Sequence, residues 1–457
     1  MVQSWESGPV RMGAEQLVRA LGPWRRSDAT LVAALDRAVL DGRIRTGAGL
    51  PAERHLAAAL GVSRGTVTAA LARLRDGGWV VTRHGSASTV RLPPAAADRI
   101  APVSATGEGG AVTDLRRAVP AAPRDAYLAA SRRALERAAP LLAEHGEPGP
   151  GLPELRASIA ARYTRQGLAT RPGQILVTGG ARAALALLTA YFEPRVAAVE
   201  TPTYFDALRV LRGSRTKLVG VRVTAGGWDL DQLEAAFAAA RGQLAYLVPD
   251  FQNPTGALMP QRTRRAVAEL ADRHRVTVVA DETMRDLDLR DRPEPVPRIR
   301  GAVLIGSTSK AIWSGLRIGW IRAATPLIRR LQSHPLAGPL SASPVQELIA
   351  AELLGDLEAV LHRRRGELRR QRDHLAALLG QDDRWDFTVP SGGLALWLRL
   401  AATPADTVVE RAGRSGVELT SGPRFAADAT LTHHLRVPYT PPPRVLDRVA
   451  EVLDAAC

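Results

Sequence analysis

The 457-residue sequence predicts an α/β chain in two parts: a small helical head ending in a β-hairpin, and a large body built on a mainly parallel sheet. Three observations carry this. The length exceeds what one ordinary hydrophobic core holds. Within the first hundred residues apolar positions recur at helical spacing and end in two β-branched runs. Beyond about residue 113, short β-branched runs alternate with helical stretches, the pattern of strands joined by crossover helices.

Composition narrows the class. Hydrophobic residues make up 46% of the chain with no unbroken apolar run of membrane-span length, so a soluble protein with no membrane partner is expected. The opening MVQSWESGPVRMGAEQ has early charge and no apolar core, unlike a secretory signal. The single cysteine, Cys457, allows neither an intramolecular disulfide nor a cysteine metal cluster; a reducing cytoplasm and no metal are expected. The formal charge of +15 is uneven. Residues 1–92 hold 13 arginines against 7 acidic residues, a net +6, while the other 365 residues carry +9. A basic head beside a nearly neutral body suggests polyanion binding; the plainer reading is solubility.

In the head, Leu31, Leu35, Val39 and Leu40 fall on one helical stripe that Asp41-Gly42 ends. LPAERHLAAAL is a second short helix, with Pro51 in its opening turn and Gly61 closing it. Ser63 is a good N-cap for a third, from about Arg64 to Asp76, with Val67, Leu71 and Leu74 on its buried side. Gly77-Gly78 then turns into two strands, WVVTRH and STVRL. Three helices and a hairpin in this order describe a winged helix-turn-helix. The third helix would present Ser63, Arg64, Thr66 and Thr68 to the major groove of double-stranded DNA. Arg64 would reach guanine edges or phosphate, and Arg54 and Arg83 would hold phosphate. The alternative is a plain bundle whose arginines face water.

The run DGRIRTGAGLPAERHLAAALGVSRGTVTAALARLRDGGWV resembles the DNA-binding domain of GntR-type bacterial regulators. It carries their D-G-x-[IL]-x-x-G-x-x-L-P-x-E-R-x-L-A stretch and G-V-S-R-x-T-V segment. The wing tip, Gly85-Ser86-Ala87-Ser88, departs from their more usual G-x-G. The head is expected over 28–92. LPPAAADRIAPVSATGEGGAV follows, rich in Pro, Ala and Gly, and reads as a flexible linker over 93–112.

In the body, expected over 113–457, ILVTGG leads into a helix from about Ala181. RVAAVETPTY, KLVGVRV, AYLVPDFQNPTG, VTVVADET, AVLIGSTSK and GWIRAA are further strand-like runs. Ligands of such sheets collect at the carboxyl ends of the strands, where Gly180, Asn253, Asp281 and Lys310 stand.

Lys310 is one of only two lysines, with Lys217, among 61 basic residues. An exposed loop lysine would be exchangeable for arginine. Guanidinium stays protonated, whereas an ε-amine can be desolvated, deprotonated and set to attack an aldehyde. A retained lysine therefore points to Schiff-base chemistry. The neighbouring types complete a pyridoxal phosphate (PLP) site. Asp281 offers a carboxylate for the ring nitrogen, Asn253 a donor for the phenolate oxygen, and Tyr204 a face for stacking. Gly180 and Ala181 open a helix whose free N–H groups suit phosphate, and Ser307, Ser309 and Arg317 add donors. Singly each has a plain explanation: Asp281 a helix cap, Asn253 a turn former, Tyr204 core packing.

From about Asp114 onward the chain resembles fold-type I aminotransferases of the aspartate aminotransferase class. The stretches that carry this are GPGLPELRASIAARY, VTGGARAAL, ETPTYFDAL, DFQNPTG, VVADE, STSKAIWSGLRIGW and HHLRVPY. The resemblance implies Lys310 holding PLP as an internal aldimine, Asp281 on the ring nitrogen, Asn253 on O3′ and Arg317 on phosphate. It further implies Arg436 as the α-carboxylate binder, a head-to-tail homodimer, and often a cis Asn253–Pro254 bond. Two departures stand out: Thr283 and Met284 follow the aspartate where a tyrosine is usual, and His145 stands where another tyrosine reaches the partner subunit.

Head and body together resemble the MocR subfamily of transcription regulators. That implies a DNA-binding regulator sensing an amino acid, an amine or PLP itself, with weak or partial transamination at most. The alternative is a PLP-dependent aminotransferase whose head localises or autoregulates it.

Overall fold

The computed structural model describes residues 12–22, 24, 27–82, 88–91, 93, 112–146, 149–428 and 430–457. The expected linker lies outside these residues except for Pro93 and Val112.

The head contains helices Asp28–Leu40, Glu53–Leu60 and Arg64–Asp76, then a hairpin of Val80–Val81 and Thr89–Val90. Each boundary has a local cause. Ser27 caps the first helix by accepting from Thr30 N, and Gly42, at φ +68°, turns the chain after its end. Gly61 ends the second in the left-handed conformation. Ser63 caps the third, 3.1 Å from Thr66 N. Pro51 sits two residues before Glu53 rather than in the opening turn, because Ala52 takes the N-cap position. Leu31, Leu35, Val39, Val67, Leu71 and Leu74 are buried together as the spacing requires. An additional helix, Ala14–Leu21, which the sequence reading did not include, packs Leu17 and Leu21 into the same core.

The body's main sheet runs Ile175–Thr178, Gly319–Arg322, Val303–Ser307, Thr277–Asp281, Leu244–Leu247, Val196–Thr201, Lys217–Thr224, Gly227–Trp228. Pairing is parallel from Val303–Ser307 through Lys217–Thr224; Gly319–Arg322 and Gly227–Trp228 run antiparallel to their neighbours. Alternate side chains feed two cores. Val177, Ala280 and Leu304 pack on one face, and Leu176, Val279 and Ile305 on the other. Burial on both faces explains why these strands read as continuous apolar runs.

The carboxyl-terminal part forms a smaller antiparallel sheet, Trp385–Asp386, Ala395–Leu400, His434–Pro438 and Thr420–Ser421, covered by Leu357–Leu379 and Pro443–Ala456. Strand Thr113–Asp114 pairs in parallel with Val417–Glu418 beside it. The head rests on this part. Thr46 donates from N and Oγ1 to Asp428 Oδ2 at 3.3 and 3.1 Å, and Leu431 N donates to Leu40 O. Among the described residues no helix is long and apolar enough to cross a membrane.

Candidate cofactor site and DNA-reading face

Thr178, Thr201, Leu247, Asp281 and Ser307 end their strands at one edge of the main sheet, and the chemistry gathers there. Asp281 is 5% exposed. Its Oδ2 accepts from Tyr246 OH at 2.7 Å and its Oδ1 from Thr283 N at 2.9 Å. Burial raises its pKa, opposed by these donors and by the charge of Lys310. Lys310 Nζ donates to Ala118 O at 2.8 Å. Its pKa is pushed down to about 8, first by burial and then by the like charge of Arg436, against the pull of Asp281.

Arg436 projects from strand His434–Pro438 and is 2% exposed. Nη2 donates to Arg116 O at 2.6 Å and Nη1 to Asn253 Oδ1 at 3.4 Å, while Nε has no partner. Its guanidinium lies 4.8 Å from the Phe425 ring centre. No carboxylate among the described residues pairs with it, and burial lowers its pKa to about 10. Asn253, itself buried, thus turns its oxygen to Arg436 and leaves its amide nitrogen for another acceptor. The Asn253–Pro254 peptide is cis, as is Thr201–Pro202. Tyr204 is half-buried and donates to Asp206 Oδ2 at 2.9 Å.

Beside these groups, helix Ala181–Phe192 begins after Gly180, at φ +110°, with no side-chain cap on its first amides. Gly319 lies opposite Ser307 on one side and Thr178 on the other. A Cβ on Gly319 would stand 2.5 Å from Gly180 C and 2.7 Å from Ala181 N, so only glycine lets these two backbones meet. Ser307 Oγ donates to Ile318 O at 2.9 Å and so accepts from Ser309 Oγ at 2.8 Å, a bond that Ser309 can exchange for one to an anion. Arg317 is exposed, left-handed at φ 57°, and makes no ion pair among the described residues. Uncapped amides, a hydroxyl and an arginine form a cradle suited to phosphate. A low-pKa amine, a buried carboxylate, an amide donor and an aromatic face adjoin it. This donor set fits PLP.

Sequence reasoning overlooked three parts of the site. Tyr246 lies mid-strand in LAYL, where nothing distinguishes it from a packing aromatic. Gly319 had a usable signal, since a glycine opening a strand marks close backbone approach. The carbonyls of Arg116 and Ala118 leave no trace in a sequence. Met284, in one place of the expected tyrosine, is buried in the smaller lobe's core, and His145 is exposed.

On the head, Arg54, Ser63, Arg64 and Thr68 are exposed and Thr66 is half-buried. Glu53 organises this face: Thr68 Oγ1 donates to it at 2.7 Å, and Arg75 and Arg64 lie at 3.6 and 4.0 Å. Ser63 spends its hydroxyl on the helix cap. Arg83 and residues 85–87 of the wing tip lie outside the described residues.

Fold and donor set together define a PLP-binding body of the fold-type I class behind a winged helix-turn-helix head. Residues 121–453 match the family described as aminotransferase class I and II, and residues 28–90 match the gntR family of bacterial regulatory proteins. The chain belongs to the aminotransferase class I and II family and carries a GntR-type DNA-binding domain ahead of it, the arrangement of MocR-type regulators. It is 26% identical to the HTH-type transcriptional regulator YisV of Bacillus subtilis over 416 residues, 82% of this chain and 85% of that one. It is 28% identical to the 2-aminoadipate transaminase of Thermus thermophilus over 327 residues, 67% and 81% of the two chains. The crystal structure of LysN, an α-aminoadipate aminotransferase of Thermus thermophilus complexed with N-(5′-phosphopyridoxyl)-L-leucine, superposes with a TM-score of 0.70. It is 25% identical, over 76% of this chain and 92% of LysN.

Proposed function

We propose that this chain is a transcription regulator whose PLP-holding body senses an amino acid or amine and changes the affinity of the head for DNA. The observation that carries the reading is Arg436: a buried guanidinium with an unsatisfied Nε and, among the described residues, no carboxylate partner, in the same pocket as Lys310. Burying an unpaired cation is costly. A ligand carboxylate would remove that cost where no side chain does.

PLP supplies an aldehyde and an electron-withdrawing ring when bound. Lys310 is the amine for the aldehyde, Asp281 the carboxylate for the ring nitrogen, and Tyr246 holds Asp281 in place. Asn253 would donate to O3′ and Tyr204 would cover the ring. Gly180, Ala181, Ser307, Ser309 and Arg317 would take the phosphate. An incoming amino acid is gripped at its carboxylate by Arg436, across the joint between main sheet and smaller lobe. Differential closure of that joint in DNA-bound and free states couples the two ligands; about 1–3 kcal/mol gives a several-fold to hundredfold effect. Two heads in a homodimer would read two half-sites. Titrating purified protein with amino acids, following coenzyme absorbance and operator binding together, tests the reading. Spectral change with constant DNA affinity would defeat it. The similarity to a transaminase favours a second reading, an aminotransferase with a DNA-binding head; sustained keto-acid release from an amino donor would establish it instead.

The lowered pKa of Lys310 sets a pH window for loading. The neutral amine is the form that condenses, so the rate rises with pH and levels once deprotonation is complete. With a pKa of about 8, coenzyme-stripped protein mixed with PLP should load faster from pH 7 to 9 and level above. An ordinary lysine would keep accelerating beyond pH 10. Stopped-flow absorbance measures this, and a rate still climbing past pH 10 contradicts the assignment.

For the head, Arg64→Ala should remove discrimination worth roughly 1–3 kcal/mol between operator and random DNA. Salt-sensitive nonspecific binding should persist. Fluorescence anisotropy on both duplexes gives the ratio; an unchanged ratio places base reading elsewhere.

A further inference from the structure

The two donors that matter most in the pocket are satisfied by main-chain carbonyls two residues apart. Arg436 Nη2 donates to Arg116 O at 2.6 Å and Lys310 Nζ to Ala118 O at 2.8 Å. Thr420 Oγ1 adds a second contact to Arg116 O at 3.5 Å. The stretch is seated rather than loose: Leu115 and Ala118 are 2% and 3% exposed and pack with Phe251, Leu396 and Val437. Immediately before it, Thr113 N donates to Gly416 O and Leu115 N to Glu418 O, at 2.9 and 2.8 Å. Arg116 ties the same edge together through Asp114 and Glu418. In chain order, this is where the polypeptide coming from the head joins the body.

The geometry points to residues 115–118 as an internal stand-in for ligand and as the element through which site occupancy reaches the head. The inference rests on the proposed roles of Lys310 and Arg436. Both carbonyls take charge-assisted hydrogen bonds, the strong kind. Both donors are also the groups the occupants need. Condensation of Lys310 Nζ with the coenzyme aldehyde expels water and leaves at most one hydrogen on that nitrogen, now held toward the coenzyme, so Ala118 O loses its partner. A ligand carboxylate on Arg436 offers two negatively charged acceptors against one neutral carbonyl, so Arg116 O loses its charged donor and keeps the longer contact from Thr420 Oγ1. Each event removes one of the bonds that seat a four-residue stretch, and strand Thr113–Asp114 is the next structure along the chain toward the head. Ligand and segment compete, so a change in the segment's seating alters the tether of the DNA-binding domain. No long-range path through the core is required.

Hydrogen exchange on the full-length protein, read by mass spectrometry, tests this at the amides of Thr113 and Leu115. Three samples are compared: coenzyme-stripped, PLP-loaded, and Arg436→Met without PLP. Loading is verified independently by visible absorbance. Exchange at these amides should rise about tenfold on loading and also in the stripped Arg436→Met protein, while the strand Thr277–Asp281 stays unchanged. Full absorbance with unaltered exchange at Thr113 and Leu115 overturns the inference and leaves the PLP site standing. Absence of the absorbance overturns both. A second measurement uses Leu115→Ala, which weakens the seating outside the coenzyme site. It should load PLP at least as tightly as wild type, because the competing segment is weakened, yet the ratio of DNA affinities with and without PLP should collapse toward one; a ratio equal to wild type refutes the route.

Discussion

Lys310→Arg is expected to abolish the covalent attachment of PLP while keeping a cation at the position and leaving the head's DNA affinity at the coenzyme-free level. The side chain reaches a pocket already holding the buried cation Arg436, and its pKa of about 8 means the site tolerates a neutral amine there at little cost. Guanidinium gives no such form at any working pH. An arginine at 310 would therefore add a second permanent cation beside Arg436, with Asp281 and Asp206 as the acids acting on it among the described residues. Coenzyme held only by the phosphate cradle and Asp281 would then dialyse away. Borohydride treatment of PLP-loaded protein should fix the coenzyme to a Lys310-containing peptide in the wild type and to none in the variant. The visible band should vanish in parallel. Equal labelling of both proteins would transfer the role to Lys217, the only other lysine, which is exposed at the start of strand Lys217–Thr224. Arginine is chosen over alanine because it leaves no cavity and no missing charge to explain a loss of signal.

Much of this architecture is legible in the sequence, and the reasons are local. Helix Arg64–Asp76 is bounded by a serine cap and a glycine pair, and strand Val303–Ser307 by its own apolar run, so short-range chemistry fixes both. Lys310 and Asp281 were legible because composition and strand ends single them out. What escaped depends on distant pieces of chain meeting. Tyr246 reaches Asp281 across 35 residues through adjacent parallel strands, and Arg116 O reaches Arg436 across 320. A carbonyl has no residue identity, so no sequence reading finds it. Helix Ala14–Leu21 escaped for another reason: its two buried leucines make sense only once the rest of the head core exists to receive them. The docking of Thr46 on Asp428 is of the same long-range kind. It gives the head a second contact with the body besides the linker. Leu431, which shares that contact, lies five residues before Arg436, so the strand that carries Arg436 starts just beyond the turn that meets the head.

Gly319→Ala should produce the largest loss of coenzyme affinity available without touching a polar group. The added methyl carbon would come within 2.5–2.7 Å of the backbone at Gly180 and Ala181, where no flexible side chain can move aside. Gly319 is held on both edges, paired with Ser307 and with Thr178, so the strand cannot retreat without breaking sheet hydrogen bonds. The helix start must shift instead. Overpacking of this kind costs roughly 1–3 kcal/mol, which a body of this size survives. The displaced atoms are the first amides of helix Ala181–Phe192, and an anion site built from backbone N–H groups loses strength steeply when those groups turn away by an ångström. The expected signature is therefore split. Urea unfolding should move by no more than the overpacking cost, while the Kd for PLP, from quenching of tryptophan fluorescence, should rise by at least about tenfold. Pyridoxal without its phosphate should bind the variant and the wild type equally. If PLP retains its affinity in the variant, or pyridoxal weakens as much as PLP does, the phosphate does not sit at the start of this helix.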